Sequence, residues 1–125
     1  MKKKILVVDD DEQIVRLLSL RLKANNFDVA VAYDGYQCVQ VAESELPDLI
    51  LLDIKMPLGG GIRAIEILKG MPDTQNIPII FITAFPSKGV KKLVMDLGAE
   101  DIITKPFDSK ALIEKINIIL NIKSK

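Results

Sequence analysis

The sequence predicts an α/β protein in which helices cover both faces of a parallel sheet, and two features of the chain predict it. Five short runs rich in Ile, Val or Leu stand at Lys4–Val8, Val29–Ala32, Leu49–Leu52, Pro78–Ile82 and Asp101–Thr104. Most lack the in–out alternation of a half-exposed strand, so they suit strands buried on both faces. Between them lie longer segments whose apolar residues recur at helical period. Strand and helix in strict alternation argue a three-layer sandwich with right-handed crossovers.

Each helix can be placed in turn. Ile14, Leu17, Leu18 and Leu22 keep one face of the first, and Asp11 with Glu12 puts carboxylates at its start, where they suit the dipole. The second, around Tyr36–Ser44, has Val39 and Ala42 as inner positions. Ile62, Ile65 and Leu68 mark the third. Val90, Leu93, Val94 and Leu97 mark the fourth, with Gly98 as its stop. Leu112, Ile116, Ile119 and Leu120 mark the fifth, capped by Asp108. No repeat, linker or low-complexity segment interrupts the series, so residues 1–125 are expected to form one domain.

Composition bounds the function. Of the 125 residues, 49% are hydrophobic, enough to bury a core without disulfides or a structural metal. The formal net charge is zero, which favours neither nucleic acid nor an acidic membrane as partner. Lys2–Lys4 reads as a solvated lead into the first strand. The single cysteine, Cys38, permits no intramolecular disulfide and reads as a small buried hydrophobe. No apolar run approaches the roughly 18 residues of a membrane span. Lys2–Lys4 before Ile5–Val8 resembles the opening of a signal peptide, but the apolar run stops at Asp9. A reducing, cytoplasmic setting is expected. There is no histidine, which excludes a His-based metal site, a Ser–His–Asp triad and a phosphohistidine carried by this chain.

Ligands of an open parallel sheet bind beyond the carboxyl ends of its strands. Asp9 and Asp10 follow the first run, Asp53 ends the third, Thr83 and Ala84 end the fourth, and Lys105 follows the fifth. Three carboxylates in one crevice repel strongly unless a cation joins them. Mg²⁺ suits a site with few carboxylates and retained waters. An Asp beside such a metal can attack phosphorus as a nucleophile. Lys105 can hold a phosphoryl oxygen, the Thr83 hydroxyl can donate to another, and the small Ala84 leaves its N–H accessible.

The strings ILVVDDDE at 5–12, LLDIKMP at 51–57, FITA at 81–84 and TKPF at 104–107 resemble the receiver domain of bacterial response regulators, over about Lys4 to Leu120. The resemblance implies a flavodoxin-like fold with strand order 2-1-3-4-5. It implies that Asp53 is the phosphoacceptor. Asp10 and Asp53 would bind Mg²⁺ through side chains, Asp9 would help mainly through water, and the Lys55 carbonyl would be the third protein ligand. Thr83 and Lys105 would contact the phosphoryl group. The donor would be a phosphohistidine on a sensor histidine kinase or a histidine phosphotransfer protein. A downstream protein would dock on the face made by the fourth helix, fifth strand and fifth helix, the chain being a monomer or a weak phosphorylation-dependent dimer with no direct nucleic-acid or membrane contact.

The chain departs from the family pattern in three places. Where many receivers read MPxMDG, this one reads Met56-Pro57-Leu58-Gly59-Gly60-Gly61, a turn expected to be looser. The aromatic residue often found in the middle of the fifth strand is Ile102. Phe85-Pro86 follows Thr83-Ala84 and is expected to shorten or stiffen the start of the fourth helix. Competing readings fare worse. A metal-dependent phosphatase with an Asp nucleophile would carry a second Asp where Lys55 stands. A flavin carrier on this architecture would have a Ser/Thr/Gly loop where Asp9-Asp10-Asp11-Glu12 stands. The remaining alternative is a receiver excised from a longer regulator with a DNA-binding or enzymatic output domain.

Overall fold

A computed structural model describes residues 2–54, 60–84 and 87–122. The chain runs β1 (Lys4–Val8), α1 (Glu12–Ala24), β2 (Asp28–Ala32), α2 (Gly35–Glu45), β3 (Leu49–Asp53), α3 (Gly60–Lys69), β4 (Ile79–Thr83), α4 (Lys88–Asp96), β5 (Asp101–Thr104) and α5 (Ser109–Ile119). The strands form one parallel sheet in the order β2-β1-β3-β4-β5.

Strand alternation sorts the apolar residues into two layers. Ile5, Val7, Leu49, Leu51, Ile80 and Ile82 meet Val15, Leu18 and Leu22 of α1 and Leu112 and Ile116 of α5. On the other face Leu6, Val8, Ile50, Leu52, Ile79 and Phe81 meet Cys38 of α2, Ala64, Ile65 and Leu68 of α3, and Val94 of α4. All residues of β3 and β4 are buried, which explains why their sequences show no alternation. Each such aliphatic side chain contributes roughly 1.5–3 kcal/mol of burial, set against the entropy of ordering the chain.

The expected helix ends are present. Asp11 accepts N–H bonds from Gln13 and Ile14, and Asp108 accepts one from Lys110. Gly98 follows the last residue of α4's cap with φ +107, a conformation that suits glycine. Asp34 and Ser87 cap α2 and α4 as well, through Gln37 and Val90. Two expected inner positions are corrected. Leu17 of α1 is 48% exposed, and Val15 is buried in its place. Leu93 of α4 is 45% exposed, leaving Val94 as the buried residue of that helix. Both helices carry more apolar positions than one stripe can bury. The tilt of the helix on the sheet decides which of them face inward.

The amino edge of the sheet is tied by polar groups. The Lys4 N–H donates to the Asp48 carboxylate at 2.7 Å, and its ammonium lies 3.0 Å from Glu45. The buried Thr74 hydroxyl donates to the Leu68 carbonyl at 2.7 Å. The Lys69 ammonium donates to the carbonyls of Gln75 and Ile77 at 3.0 and 3.1 Å. Burial holds its pKa below the ordinary lysine value, with the Glu100 charge opposing. No described helix is long and apolar enough to cross a membrane.

Cys38 is fully buried, and burial, aided by the Asp34 charge, pushes its thiol up to about 12. Since the thiolate is the nucleophile, Cys38 is expected to ignore Ellman's reagent in the native protein and to react with one equivalent in guanidinium. Rapid native labelling would contradict its placement.

Candidate functional site

Because all five strands are parallel, their carboxyl ends share one edge. The registers Val8↔Leu52, Asp53↔Ile82 and Thr83↔Thr104 bring the residues that end or follow β1, β3, β4 and β5 into one row. Asp9, Asp53 and Thr83 are buried, whereas Asp10 and Ala84 are exposed. The sheet thus presents two sunken carboxylates, a sunken hydroxyl and an outer carboxylate along one edge.

Backbone bonds fix the two residues just beyond strand ends. The Asp9 N–H donates to the Ala32 carbonyl at 3.3 Å, continuing the ladder between β1 and β2. The Lys105 N–H donates to the Thr83 carbonyl at 2.8 Å, continuing that between β4 and β5. So anchored, Lys105 reaches over β4 and β3. Its ammonium donates to Oδ2 of Asp9 at 2.9 Å and lies 3.8 Å from Oδ2 of Asp53. The other Asp9 oxygen accepts the Asp11 N–H at 3.0 Å. Burial works against the Lys105 ammonium, but its hydrogen bond to Asp9 and the charges of Asp53, Asp9 and Asp10 outweigh it and raise its pKa. A raised lysine pKa contributes stability below the ordinary lysine value, and that stability is lost only as pH climbs through the raised one. Lys105 is therefore charged throughout the neutral range.

Asp9, Asp10 and Asp53 each offer an oxygen, and these oxygens lie within 4.8 Å of one another. At an effective dielectric constant of roughly 20, two such charges repel by about 3 kcal/mol. One ammonium, committed first to Asp9, cannot balance three carboxylates. A set of oxygen donors with surplus negative charge fits a hard divalent cation such as Mg²⁺ rather than a thiophilic metal.

The structure thus brings together Asp9, Asp10, Asp53 and Lys105 in direct proximity, with Thr83 at the adjacent strand end. Lys55, Met56-Pro57 and Phe85-Pro86 lie outside the described residues. Two features were not read from the sequence. One is the resting pair of Lys105 with Asp9. The other is the close approach of Gly61 to Asp53, described below. Ile102 is partly buried and packs against the α2–α3–α4 layer, in register with Phe81.

A parallel five-stranded sheet in this order, with clustered carboxylates, a hydroxyl and an ammonium at its carboxyl edge, defines the class of small α/β signalling receivers. Residues 5–117 match the family model described as response regulator receiver domain, and the chain belongs to that family. It is 39% identical over 123 residues to the response regulator PleD of Caulobacter vibrioides, covering 98% of this chain and 27% of that protein. It is 41% identical over 120 residues to the alkaline phosphatase synthesis transcriptional regulatory protein PhoP of Bacillus subtilis, covering 96% of this chain and 49% of that protein. The chain therefore spans about a quarter of one curated relative and about half of the other. Among solved structures, the receiver domain of the Francisella response regulator 1452 superposes with a TM-score of 0.89 at 32% identity, covering 96% of this chain and 98% of that one.

Proposed function

We propose that this receiver takes its phosphoryl group on Asp53 in a Mg²⁺-dependent reaction and that the modification switches its protein contacts. The observation that carries the assignment is the cluster of three carboxylate oxygens within 4.8 Å, with Asp53 at the end of the central strand β3 and Lys105 beside it. An Asp53 oxygen attacks the phosphorus of a phosphohistidine on a sensor kinase or a histidine phosphotransfer protein. The P–N bond breaks, and its electron pair returns to the imidazole. Asp10 and Asp53 would hold the metal, with Asp9 assisting and the Lys55 carbonyl as a further ligand. When bound, Mg²⁺ neutralises developing charge on the phosphoryl oxygens. Lys105 and the Thr83 hydroxyl would hold two of those oxygens, and the Ala84 N–H would donate alongside. The chain would catalyse only its own phosphorylation and dephosphorylation, and would speak to its target through α4, β5 and α5, where Leu93, Met95 and Ile118 are exposed.

A second reading has its own support. The curated relatives are two to four times as long as the matched segment, which favours a receiver that works as one part of a longer regulator.

The test is direct. Tenfold more Mg²⁺ than its dissociation constant stabilises the folded state by about 1.4 kcal/mol, or roughly 5 °C in Tm. With acetyl phosphate added, intact mass should show one phosphoryl group. An unchanged Tm and an unmodified mass would refute the assignment.

A further inference from the structure

Gly60 and Gly61 invite the reading of a slack turn, and the structure shows the reverse at Gly61. Its N–H donates to the Ile54 carbonyl at 2.9 Å, binding the first turn of α3 to the end of β3. A Cβ on Gly61 would stand 2.4 Å from the Asp53 carbonyl oxygen, 3.0 Å from the Ile54 Cα and 3.0 Å from Cε1 of Phe81. On its other side, the Asp53–Ile54 peptide is held by the Ile54 N–H, which donates to the Ile82 carbonyl of β4 at 3.1 Å. The peptide unit that carries Asp53 is thus clasped between β4 and the bare Cα of Gly61.

We propose that Gly61 is a positioning residue for Asp53: its missing side chain sets the seat of the Asp53–Ile54 peptide, and through it the aim of the carboxylate. The inference rests on the reading of Asp53 as phosphoacceptor. Any side chain at 61 meets backbone, which cannot swing aside as the tip of a side chain would. Either α3 backs away and the Gly61–Ile54 bond breaks, or the peptide rotates and turns the Asp53 carboxylate away from the oxygens of Asp9 and Asp10. Both outcomes loosen a site whose chemistry depends on sub-ångström placement. Gly60 provides the contrast. Its φ of +66 also favours glycine, but a Cβ there would stand 3.3 Å from the Ile54 carbonyl, with nothing of Asp53 among its near neighbours.

The experiment compares wild type, Gly61→Ala and Gly60→Ala for melting temperature, Mg²⁺ affinity by calorimetry, and phosphorylation rate with acetyl phosphate at saturating Mg²⁺. Wild-type phosphorylation is established first, so failure of the Asp53 reading appears before any variant is compared. Gly61→Ala is expected to bind Mg²⁺ about tenfold more weakly and to react about 100-fold more slowly even when saturated. Gly60→Ala is expected to lose stability while keeping affinity and saturated rate within about threefold of wild type. A folded Gly61→Ala protein with wild-type affinity and rate overturns the proposal, as does Gly60→Ala matching its losses. Should Gly61→Ala fail to fold, wild-type hydrogen exchange decides. Beryllofluoride with Mg²⁺ should slow exchange of the Gly61 amide, and unchanged exchange overturns the proposal.

Discussion

Asp53→Asn is expected to give a folded protein that takes no phosphoryl group and that melts above the wild type when Mg²⁺ is absent. The amide is isosteric with the carboxylate but is a poor nucleophile toward phosphorus. The rise in stability follows from the charge arrangement. Lys105 lies 2.9 Å from Asp9 and 3.8 Å from Asp53, so Asp53 receives the smaller share of its compensation while remaining near two other carboxylates. Removing that charge relieves a repulsion of about 3 kcal/mol per close pair, offset in part by the lost attraction to Lys105. The same change removes a metal ligand, so the Mg²⁺-dependent rise in Tm should shrink. Melts with and without Mg²⁺, together with intact mass after acetyl phosphate, check all three outcomes. An Asn variant that still gains one base-labile phosphoryl group would place the acceptor elsewhere.

The second large effect is expected to be a displacement of α4 on phosphorylation, with Ile102 changing little. Phosphoryl oxygens on Asp53 would compete with Asp9 for the Lys105 ammonium and would draw the Thr83 hydroxyl. Thr83 ends β4, and the chain from there leads into α4. That helix is poorly anchored, for Val94 is its one fully buried residue and Leu93 and Met95 are each nearly half exposed. An aromatic residue in the middle of β5 could swing into space vacated by Thr83. Ile102 is smaller, β-branched and stiff at χ1, and it already packs against the α2–α3–α4 layer. Beryllofluoride must bind one arrangement better than the other to shift the population. The measurement compares backbone amides of α4 with the Ile102 methyl signals, with and without beryllofluoride and Mg²⁺. Large α4 shifts with an unchanged Ile102 rotamer are expected. A rotamer change at Ile102 over a still α4 would reverse the assignment.

The inner strands β1, β3 and β4 were legible because burial on both faces removes alternation. Ile79–Thr83 and Leu49–Asp53 are apolar up to a polar last residue, and that break is what marked the candidate site. The parallel sheet then brought Asp9, Asp10, Asp53 and Lys105 together without further information. Helix faces were less legible. α1 offers Ile14, Val15, Leu17, Leu18, Leu20 and Leu22, and periodicity cannot say whether Val15 or Leu17 is tucked in, since that depends on the tilt of the helix on the sheet. The resting contact of Lys105 with Asp9 was hidden for another reason. A lysine stem can reach several acceptors, and only the three-dimensional distances rank them. The role of Gly61 was hidden because a glycine run signals freedom in sequence, whereas here a close approach of backbone to backbone requires it.

The ties along the amino edge of the sheet have a mechanical meaning. There, Lys69 grips two carbonyls, Thr74 another, and Lys4 locks onto Asp48 and Glu45, all with groups that the chemistry of Asp53 never touches. The opposite edge is held by the Lys105 ammonium between Asp9 and Asp53, charges that would change partners on the proposed phosphorylation. One rim therefore behaves as a clamped base and the other as a working tip. A rearrangement at the tip would find little give below it and would be steered sideways along the surface, toward α4, where Val94 is the one buried residue.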